Sequence, residues 1–368
     1  MTPSRPRSRE RRTLRWVLSL VLLLSVVRFL QTAQEPELSE SFLLVHMATT
    51  TTAKDTPEYT RAFEAIQPRV WSSQETISCS SDRPSITFVK LAKVASRTVW
   101  AVLQRVAHKV ALRQNQPFSS CSIQSPNLAY ARDLERNATT TPHLHLSFLR
   151  NPTDRLLSWY TYDRVSSAHH TPSAEALQTY VRTKNVRDAL YPHFVARLGL
   201  QDKWVAGKSD GATFVQHILD TYHFVGVAER LDESLVVMSL LWTELTLNDL
   251  LYVQNEQVQG SYDPNCRYMH PVNLHTPGIQ AYLESEEWRT LSQWDRLLYE
   301  KVNASLDATI ATLGRERVQE QLREYRRLKE KVQVECLPKV PVRNCDEQAE
   351  SPPCPFGACA QDCLDGIH

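Results

Sequence analysis

The sequence predicts an α/β protein with a central parallel sheet and helices on both faces, preceded by a single N-terminal membrane anchor. Residues 85–110 and 146–162 predict the parallel sheet, because in each a strand-like apolar run is followed by apolar residues at helical spacing. A basic segment and an apolar run within residues 1–30 predict the anchor. The length of 368 residues, 42% of them hydrophobic, is sufficient for one large domain or two small ones.

The N-terminal segment is predicted to hold the protein in a membrane. Residues 1–15 form a basic cytoplasmic tail, and residues 16–30 are apolar apart from two serines and Arg28. A cleaved signal peptide is the alternative, because this run is shorter than the about 20 residues of an average spanning helix. Residues 32–34 make a poor cleavage site, and Arg15 and Arg28 could snorkel to the two interfaces of a thin membrane. The sequence therefore favours an uncleaved type II anchor.

The remaining chain is predicted to form a stem and one catalytic domain. Residues 31–84 are rich in Thr, Ser, Glu and Pro and lack periodicity, which indicates a lumenal stem before a catalytic domain over residues 85–335. The net charge is +1, but seven arginines against Glu10 in residues 1–30 leave a net charge of −5 on the rest. This balance argues against a nucleic-acid partner. Nothing in the sequence indicates an oligomeric state.

The first strand–turn–helix unit places a lysine at the start of a helix. Its strand is followed by apolar residues at helical spacing, so Lys93 lies in the turn between the two. Backbone N–H groups at a helix N-terminus bind anions, and Lys93 would add a full charge. Glycine usually permits this close approach, whereas Ala95 and Ser96 stand here. Taken alone, the stretch fits an ordinary βα unit with an exposed lysine as well as it fits a phosphate or sulfate cradle.

The second unit adds a positive charge at the same predicted edge of the sheet. Its strand ends at Arg150, and Asn151 and Pro152 open a helix with Asp154 in the first turn. In open α/β sheets the ligand crevice lies outside the C-terminal ends of the strands. Lys93 and Arg150 are therefore expected to face one ligand that has two separated anionic groups.

A second phosphate-binding pattern in the sequence is incomplete, and the motif of metal-dependent glycosyltransferases is absent. Gly207, Lys208 and Ser209 imitate the end of a P-loop, but its first glycine would fall at Asp202. No Asp-x-Asp occurs, which argues against a metal-dependent sugar-nucleotide transferase. A metal-independent glycosyltransferase is the weaker enzyme hypothesis.

Together the two units resemble the nucleotide signatures of Golgi carbohydrate sulfotransferases. Lys93 and Thr98 match the pattern K-x-x-K-x-[AG]-S-x-T-V, and Arg150 and Ser158 match L-R-[ND]-P-x-x-R-x-x-S-x-[YF]. Two later segments, residues 224–252 and 294–317, narrow the resemblance to the galactose 3-O-sulfotransferases, including galactosylceramide sulfotransferase. The heparan/uronyl 2-O-sulfotransferases are the nearest relatives. The resemblance covers residues 85–336 and implies a P-loop-kinase-like sulfotransferase fold.

The resemblance also implies a reaction. The donor would be 3′-phosphoadenosine 5′-phosphosulfate, no metal would take part, and the acceptor would be a sugar hydroxyl, expected to be galactose O3, on a glycolipid or glycan in the Golgi lumen. Lys93 is the expected catalytic residue, because a preorganised ammonium stabilises the charge that grows on the bridging oxygen. The resemblance implies two sets of donor-binding residues, Ala95, Ser96, Arg97 and Thr98 for the 5′-phosphosulfate and Arg150 and Ser158 for the 3′-phosphate.

The general base of the family is not visible in this sequence. In the galactose 3-O-sulfotransferases a histidine directly precedes the cradle lysine, and here Ala92 occupies that position. Another expected histidine falls near Asn127. The chain is therefore either an active sulfotransferase with a different base or a catalytically weakened relative that binds donor or glycan.

Glu229 is the candidate base, because it directly follows the predicted strand 224–228 on the ligand side. Its alternative role is a helix-start carboxylate paired with Arg230 or with a backbone amide. His143 and His145 lie at the other end of the strand that leads to Arg150, and we expect them to be structural.

The C-terminal region is predicted to be stapled by disulfides. All eight cysteines follow the membrane segment, and five of them lie between residues 336 and 363, so residues 336–368 read as a Cys-rich tail whose pairing stays open. Ahead of it, residues 315–334 form a charged helix with one apolar stripe, which is expected to pack on the domain. Sequons at Asn137 and Asn303 predict N-glycosylation.

Overall fold

The computed structural model describes residues 56–72, 76–77, 79, 86–117, 121, 123–124, 144–166, 171–183, 211–253, 261–262, 269–270, 274, 276–339 and 361–367. The predicted cytoplasmic tail and anchor, residues 1–30, lie outside these ranges. In the part that is described, no helix is long and apolar enough to cross a membrane.

A four-stranded parallel sheet forms the centre of the protein. Its strands run in the spatial order β2-β1-β3-β4, and a short antiparallel pair, β5 and β6, lies apart from it. The strands are β1 Ile86–Val89, β2 Ile123–Gln124, β3 Leu144–Leu149, β4 Phe224–Val227, β5 Ser261–Tyr262 and β6 Met269–His270. The α/β class and the parallel sheet expected from the sequence are confirmed.

Register brings the C-terminal ends of three strands to one edge. Val89 of β1 pairs with Ser147 of β3, and Leu149 at the end of β3 pairs with Val227 at the end of β4. Every residue of β1 and β4 is buried, and since successive side chains point to opposite faces, both faces of the sheet are covered.

Ten α-helices are described around this sheet. They are α1 Pro57–Ala65, α2 Ser96–Arg113, α3 Pro152–Tyr160, α4 Ala174–Thr183, α5 Gly211–Thr221, α6 Leu231–Leu241, α7 Pro277–Leu283, α8 Glu286–Leu313, α9 Arg315–Glu335 and α10 Gln361–Asp365. A π-helical turn, Thr161–Ser166, continues α3. The main core joins the sheet to α1, α2, α5, α6, α8 and α9, and a smaller apolar cluster joins α3, α4, α7 and the start of α8.

Local sequence explains how the helices next to the sheet begin and pack. Pro152 occupies the first turn of α3, and the Asn151 side chain caps that helix by accepting from the N–H groups of Thr153 and Asp154. In the sheet, Gly226 lies against the Phe148 ring, where a Cβ would come within 2.3 Å of a ring carbon. The absence of a side chain at this position of β4 therefore leaves room for the Phe148 ring of β3.

The globular part of the protein begins earlier than residue 85, the start expected from the sequence. Tyr59, Ala62 and Ile66 of the α1 region belong to the main core, as does Trp71. The backbone N–H of Trp71 donates to Thr309 on α8 at 3.0 Å. Residues 57–71 of the predicted stem thus contribute to the folded body, a role that the polar composition of the stem conceals.

The C-terminal region folds back onto the domain. The apolar stripe of α9 is buried as predicted, through Val318, Leu322, Tyr325, Leu328 and Val332. A disulfide joins Cys336 at the end of this helix to Cys363 in α10, and another joins Cys79 to Cys121. The Cys336–Cys363 bond lies within the predicted tail, and the two bonds give two of the pairings that the sequence left open. Cys266, Cys345, Cys354 and Cys359 lie outside the described residues.

Candidate active site

The turn between β1 and α2 has the backbone conformation of an anion cradle. Lys93 and Ala95 both adopt left-handed conformations, with φ of 65° and 57°, and Ala95 is the N-cap of α2. The first helical hydrogen bond runs from the Val99 N–H to the Ala95 carbonyl, so the N–H groups of the preceding residues point out of the helix start. Alternating backbone handedness of this kind makes concave sites lined by N–H groups. The turn therefore supplies what the predicted cradle requires, without glycine.

Lys93 stands among positive charges in this turn. Burial, together with the smaller effects of the neighbouring charges of Arg97 and Arg150, lowers its pKa to about 8. Its Nζ lies 4.0 Å from the centre of the Tyr162 ring, in the π-helical turn after α3. Because like charges are held together here, an anion bound between Lys93 and Arg150 would relieve their repulsion.

The end of β3 carries the second predicted anion contact. Arg150 follows Leu149, and its side chain is 35% exposed. Since β1 and β3 are adjacent and parallel, Arg150 and Lys93 leave the sheet on the same side. The structure thus brings these two predicted site residues to one edge. Ser158 lies two turns into α3 and is half-buried.

Glu229 lies at the same edge, directly after β4. Its carboxylate accepts the Asn151 N–H at 2.8 Å and the Tyr299 hydroxyl at 3.3 Å, and it lies 4.0 Å from Arg150 Nε. Arg230 bonds instead to Glu233, Asn303 and Asp307. The carboxylate thus pairs with a backbone amide of the β3–α3 turn, which is one of the two alternative roles that the sequence offered, whereas the other alternative partner, Arg230, bonds elsewhere.

The other predicted residues have different environments. In the cradle, Ser96 is buried, Thr98 is half-buried and Arg97 is exposed. His145 lies near the start of β3, at the end opposite to Arg150, and its backbone N–H donates to Nδ1 of His223. Asn303 is half-buried in the middle of α8, and the remaining residues Asn127, Asn137 and His143 lie outside the described ranges.

Two ionisable residues to which the sequence gave no role line a cleft beside the cradle turn. They are Arg155 on α3 and Asp295 on α8, and the cleft is also lined by Val94, Leu149, Arg150, Pro152, Leu298 and Tyr299. Burial raises the pKa of Asp295 to about 7, against the opposing effect of Arg155. A signal existed for Arg155, which occupies the second arginine of the pattern L-R-[ND]-P-x-x-R-x-x-S-x-[YF], and Asp295 lies in the family-like segment 294–317.

Within the described ranges, no three His, Cys, Asp or Glu side chains are close enough together to hold a metal ion.

Comparison with known proteins connects this site to a family. The galactose-3-O-sulfotransferase family matches residues 127–352, which include β3, α3, β4 and α8 and begin after the cradle turn. Galactose-3-O-sulfotransferase 3 of Mus musculus is 24% identical over 297 residues, which are 70% of this chain and 64% of that protein. The Bos taurus protein of the same name is 26% identical over 70% of this chain and 65% of its own length.

The chain thus spans slightly less than two thirds of the length of these curated relatives. No solved structure matches it. The family match covers more than half of the 368 residues and contains the β3–α3 turn with Arg150 and the Glu229 strand end. The chain belongs to the galactose-3-O-sulfotransferase family.

Proposed function

We propose that the protein transfers a sulfuryl group from 3′-phosphoadenosine 5′-phosphosulfate to a sugar hydroxyl, expected to be O3 of galactose on a glycolipid or glycan. The observation that carries this proposal is the convergence of Lys93 and Arg150 at the C-terminal edge of the parallel sheet. The donor has anionic groups at its 5′ and 3′ positions, and the two cations leave neighbouring strands to face such a ligand. Family membership supports sulfuryl transfer as the reaction.

We assign the 5′-phosphosulfate of the donor to the β1–α2 turn and its 3′-phosphate to the β3–α3 turn. Lys93 with the N–H groups of Ala95, Ser96, Arg97 and Thr98 would bind the 5′-phosphosulfate, and two left-handed residues open that turn toward an anion. Arg150 and Ser158 would bind the 3′-phosphate from the β3–α3 side. The parallel order of β1 and β3 and the cradle directly after β1 support a P-loop-kinase-like arrangement.

The reaction places different demands on the residues. As the acceptor oxygen bonds to sulfur, the bond between sulfur and the bridging oxygen breaks, and negative charge grows on that oxygen. Lys93 would stabilise this charge, and adenosine 3′,5′-bisphosphate would leave. Glu229 is the proposed acceptor of the hydroxyl proton, since it lies at the strand edge and its hydrogen bonds from Asn151 and Tyr299 hold it in one orientation.

The two anion contacts are tested by nucleotide binding to the full-length protein. Arg150→Ala should weaken binding of adenosine 3′,5′-bisphosphate by about 1.5–3 kcal/mol, the range for a charged hydrogen bond, and leave adenosine 5′-monophosphate nearly unaffected. Arg61→Ala removes an exposed arginine of α1 and is the matched control. Equal losses for both nucleotides would refute the assignment of Arg150.

Turnover tests the catalytic assignment. Lys93→Ala should lower the single-turnover rate more than it lowers donor affinity, because its contribution is largest when the bridging oxygen carries its developing charge. Lys339→Ala, which removes an exposed lysine after α9, is the control. The acceptor class would come from labelled donor supplied with a panel of galactosides and uronic-acid polymers.

A catalytically weakened relative is the second candidate, and Ala92 favours it. The residue before Lys93 has no ionisable side chain, and its carbonyl already accepts a hydrogen bond from Arg155. If the wild-type protein binds the nucleotides as proposed and transfers no sulfate to any member of the panel, this second function holds. If Glu229→Gln abolishes a measured turnover, the active enzyme holds.

The cellular setting follows from the N-terminal sequence and the family resemblance. The protein would be a single-pass type II protein of the Golgi membrane with its catalytic domain in the lumen. Glycosidase digestion should lower its mass, and Asn137→Gln should remove that shift, because Asn303 is half-buried in α8 and engaged by Arg230. An unglycosylated cytosolic protein would contradict this location.

A further inference from the structure

Arg155 belongs by sequence to the segment expected to bind the 3′-phosphate, yet its side chain runs to the other half of the site. It lies on α3, five residues after Arg150. Its Nε donates to the Ala92 carbonyl at 3.0 Å, and only 4% of the residue is exposed. Ala92 directly precedes Lys93, so the bond joins α3 to the cradle turn.

Burial of the Arg155 guanidinium in this place is energetically unfavourable. Its Nη2 is buried and has no hydrogen-bond partner among the described residues. Burial lowers the pKa of Arg155 to about 10, and the charge of Asp295 on α8 acts in the opposite direction. Its carbon Cζ lies 5.6 Å from the Trp159 ring. A buried cation with an unused donor destabilises a fold, so its role is not explained by core packing.

The cradle turn needs support of this kind. Lys93 and Ala95 are not glycines, and a left-handed conformation in such residues persists only when the surroundings enforce it. Buried Val94 anchors the turn by packing, and the Arg155 bond fixes the carbonyl just before the first left-handed residue. The two contacts bracket Lys93.

We propose that Arg155 is a positioning residue for the 5′-phosphosulfate cradle, acting through the Ala92 carbonyl and linking the cradle to the helix that carries the 3′-phosphate contacts. The inference rests on the proposed function. The two arginines of one segment then have separate roles. Arg150, whose side chain is 35% exposed, would contact the 3′-phosphate, and buried Arg155 would shape the 5′ site without touching the donor.

Nucleotide selectivity separates this role from a merely structural one. We would measure binding of adenosine 5′-monophosphate and adenosine 3′-monophosphate to the full-length wild type, Arg155→Met, Arg155→Lys and Arg150→Met. Arg155→Met should weaken the 5′-monophosphate about tenfold or more and leave the 3′-monophosphate nearly unchanged. Arg150→Met should show the reverse preference. Arg155→Lys should recover part of the 5′ affinity, because an ammonium can still donate to the Ala92 carbonyl.

Folding is monitored by thermal unfolding of each variant. If Arg155→Met does not fold, Arg155→Lys provides the test, because it keeps the buried charge. Its affinity for adenosine 5′-monophosphate should then fall by a smaller factor, and its affinity for adenosine 3′-monophosphate should not change. Equal losses for both nucleotides, or none, in a folded Arg155 variant would overturn the inference alone. Failure of the wild type to bind either nucleotide would overturn the proposed function and this inference with it.

Discussion

Lys93 combines a strained backbone with a partly neutralised charge. Its φ of 65° is rare for a residue with a side chain, and burial with two neighbouring arginines lowers its pKa to about 8. Residues with a strained backbone or a shifted pKa cluster at functional sites, where the surrounding structure enforces the strain and the shift. The Tyr162 ring, 4.0 Å from Nζ, holds the ammonium near the mouth of the cradle.

This state of Lys93 predicts a pH dependence of nucleotide binding. A bound phosphate favours the charged ammonium and raises its pKa, so binding at pH 8 should take up about half a proton per nucleotide. Affinity for adenosine 3′,5′-bisphosphate should therefore fall as the pH rises through about 8. Calorimetry in two buffers with different ionisation enthalpies measures the uptake directly.

The control for that experiment is an exposed lysine outside the nucleotide signatures. Lys93→Met should abolish the proton uptake at pH 8, where phosphate groups are already fully ionised, whereas Lys339→Met should retain it. Uptake that persists in Lys93→Met would show that another group titrates on binding.

At the scale of elements, the helices after β1 and β3 begin in different ways. The start of α3 is closed by the Asn151 side chain, whereas α2 begins at left-handed Ala95 with no side-chain cap. A side-chain cap occupies the N–H groups that an anion would otherwise use. The β1–α2 turn is therefore the one whose backbone suits a ligand, and the β3–α3 turn offers its side chains.

Ala95 allows this difference to be tested. Replacement by glycine removes a left-handed strain of about 1–2 kcal/mol, which stabilises the fold. It also raises the conformational entropy of the unfolded chain, which destabilises the fold by about 0.4–1 kcal/mol. Ala95→Gly should thus be neutral or raise the free energy of unfolding by up to about 1.5 kcal/mol, measured in urea. Ala101→Gly within α2 makes the same exchange in a helix interior and should lower that energy by about 1 kcal/mol. A loss in Ala95→Gly equal to the loss in Ala101→Gly would contradict the strain.

At the scale of the whole molecule, the end of the chain packs on the helix that carries the cradle. Asp365 of α10 pairs with Arg105 and Lys109 on α2, and the Ile367 carbonyl accepts from Asn248. The Cys336–Cys363 disulfide ties this segment to α9. The tail is thus part of the support of α2.

Removal of that disulfide should lower the stability of the entire domain. Cys336 and Cys363 are 27 residues apart, and a loop of this length corresponds to about 3–4 kcal/mol of unfolded-state entropy. We expect the Cys336→Ala, Cys363→Ala protein to lose about this amount in urea unfolding. Cys363→Ala alone should lose a similar amount and expose one thiol to alkylation on unfolding. Wild-type stability in the double variant would show that the bond is dispensable.

Local pattern determined the parts of this protein that depend on neighbouring residues. Apolar periodicity located β1, β3, β4, α2, α3 and the buried stripe of α9, because strand and helix faces repeat within a few residues. The edge shared by Lys93, Arg150 and Glu229 also followed from sequence, since the C-terminal ends of parallel strands meet on one side of a sheet.

Tertiary structure decided whatever depends on residues distant in the chain. The bond from Arg155 to Ala92 spans 63 residues, and Asp295 faces the same cleft from a helix much later in the sequence. The hydrogen bond from the Trp71 N–H to Thr309 of α8 and the pairing of Cys336 with Cys363 are likewise non-local. Composition and periodicity describe each segment separately, whereas these contacts exist only once the sheet has brought the segments together.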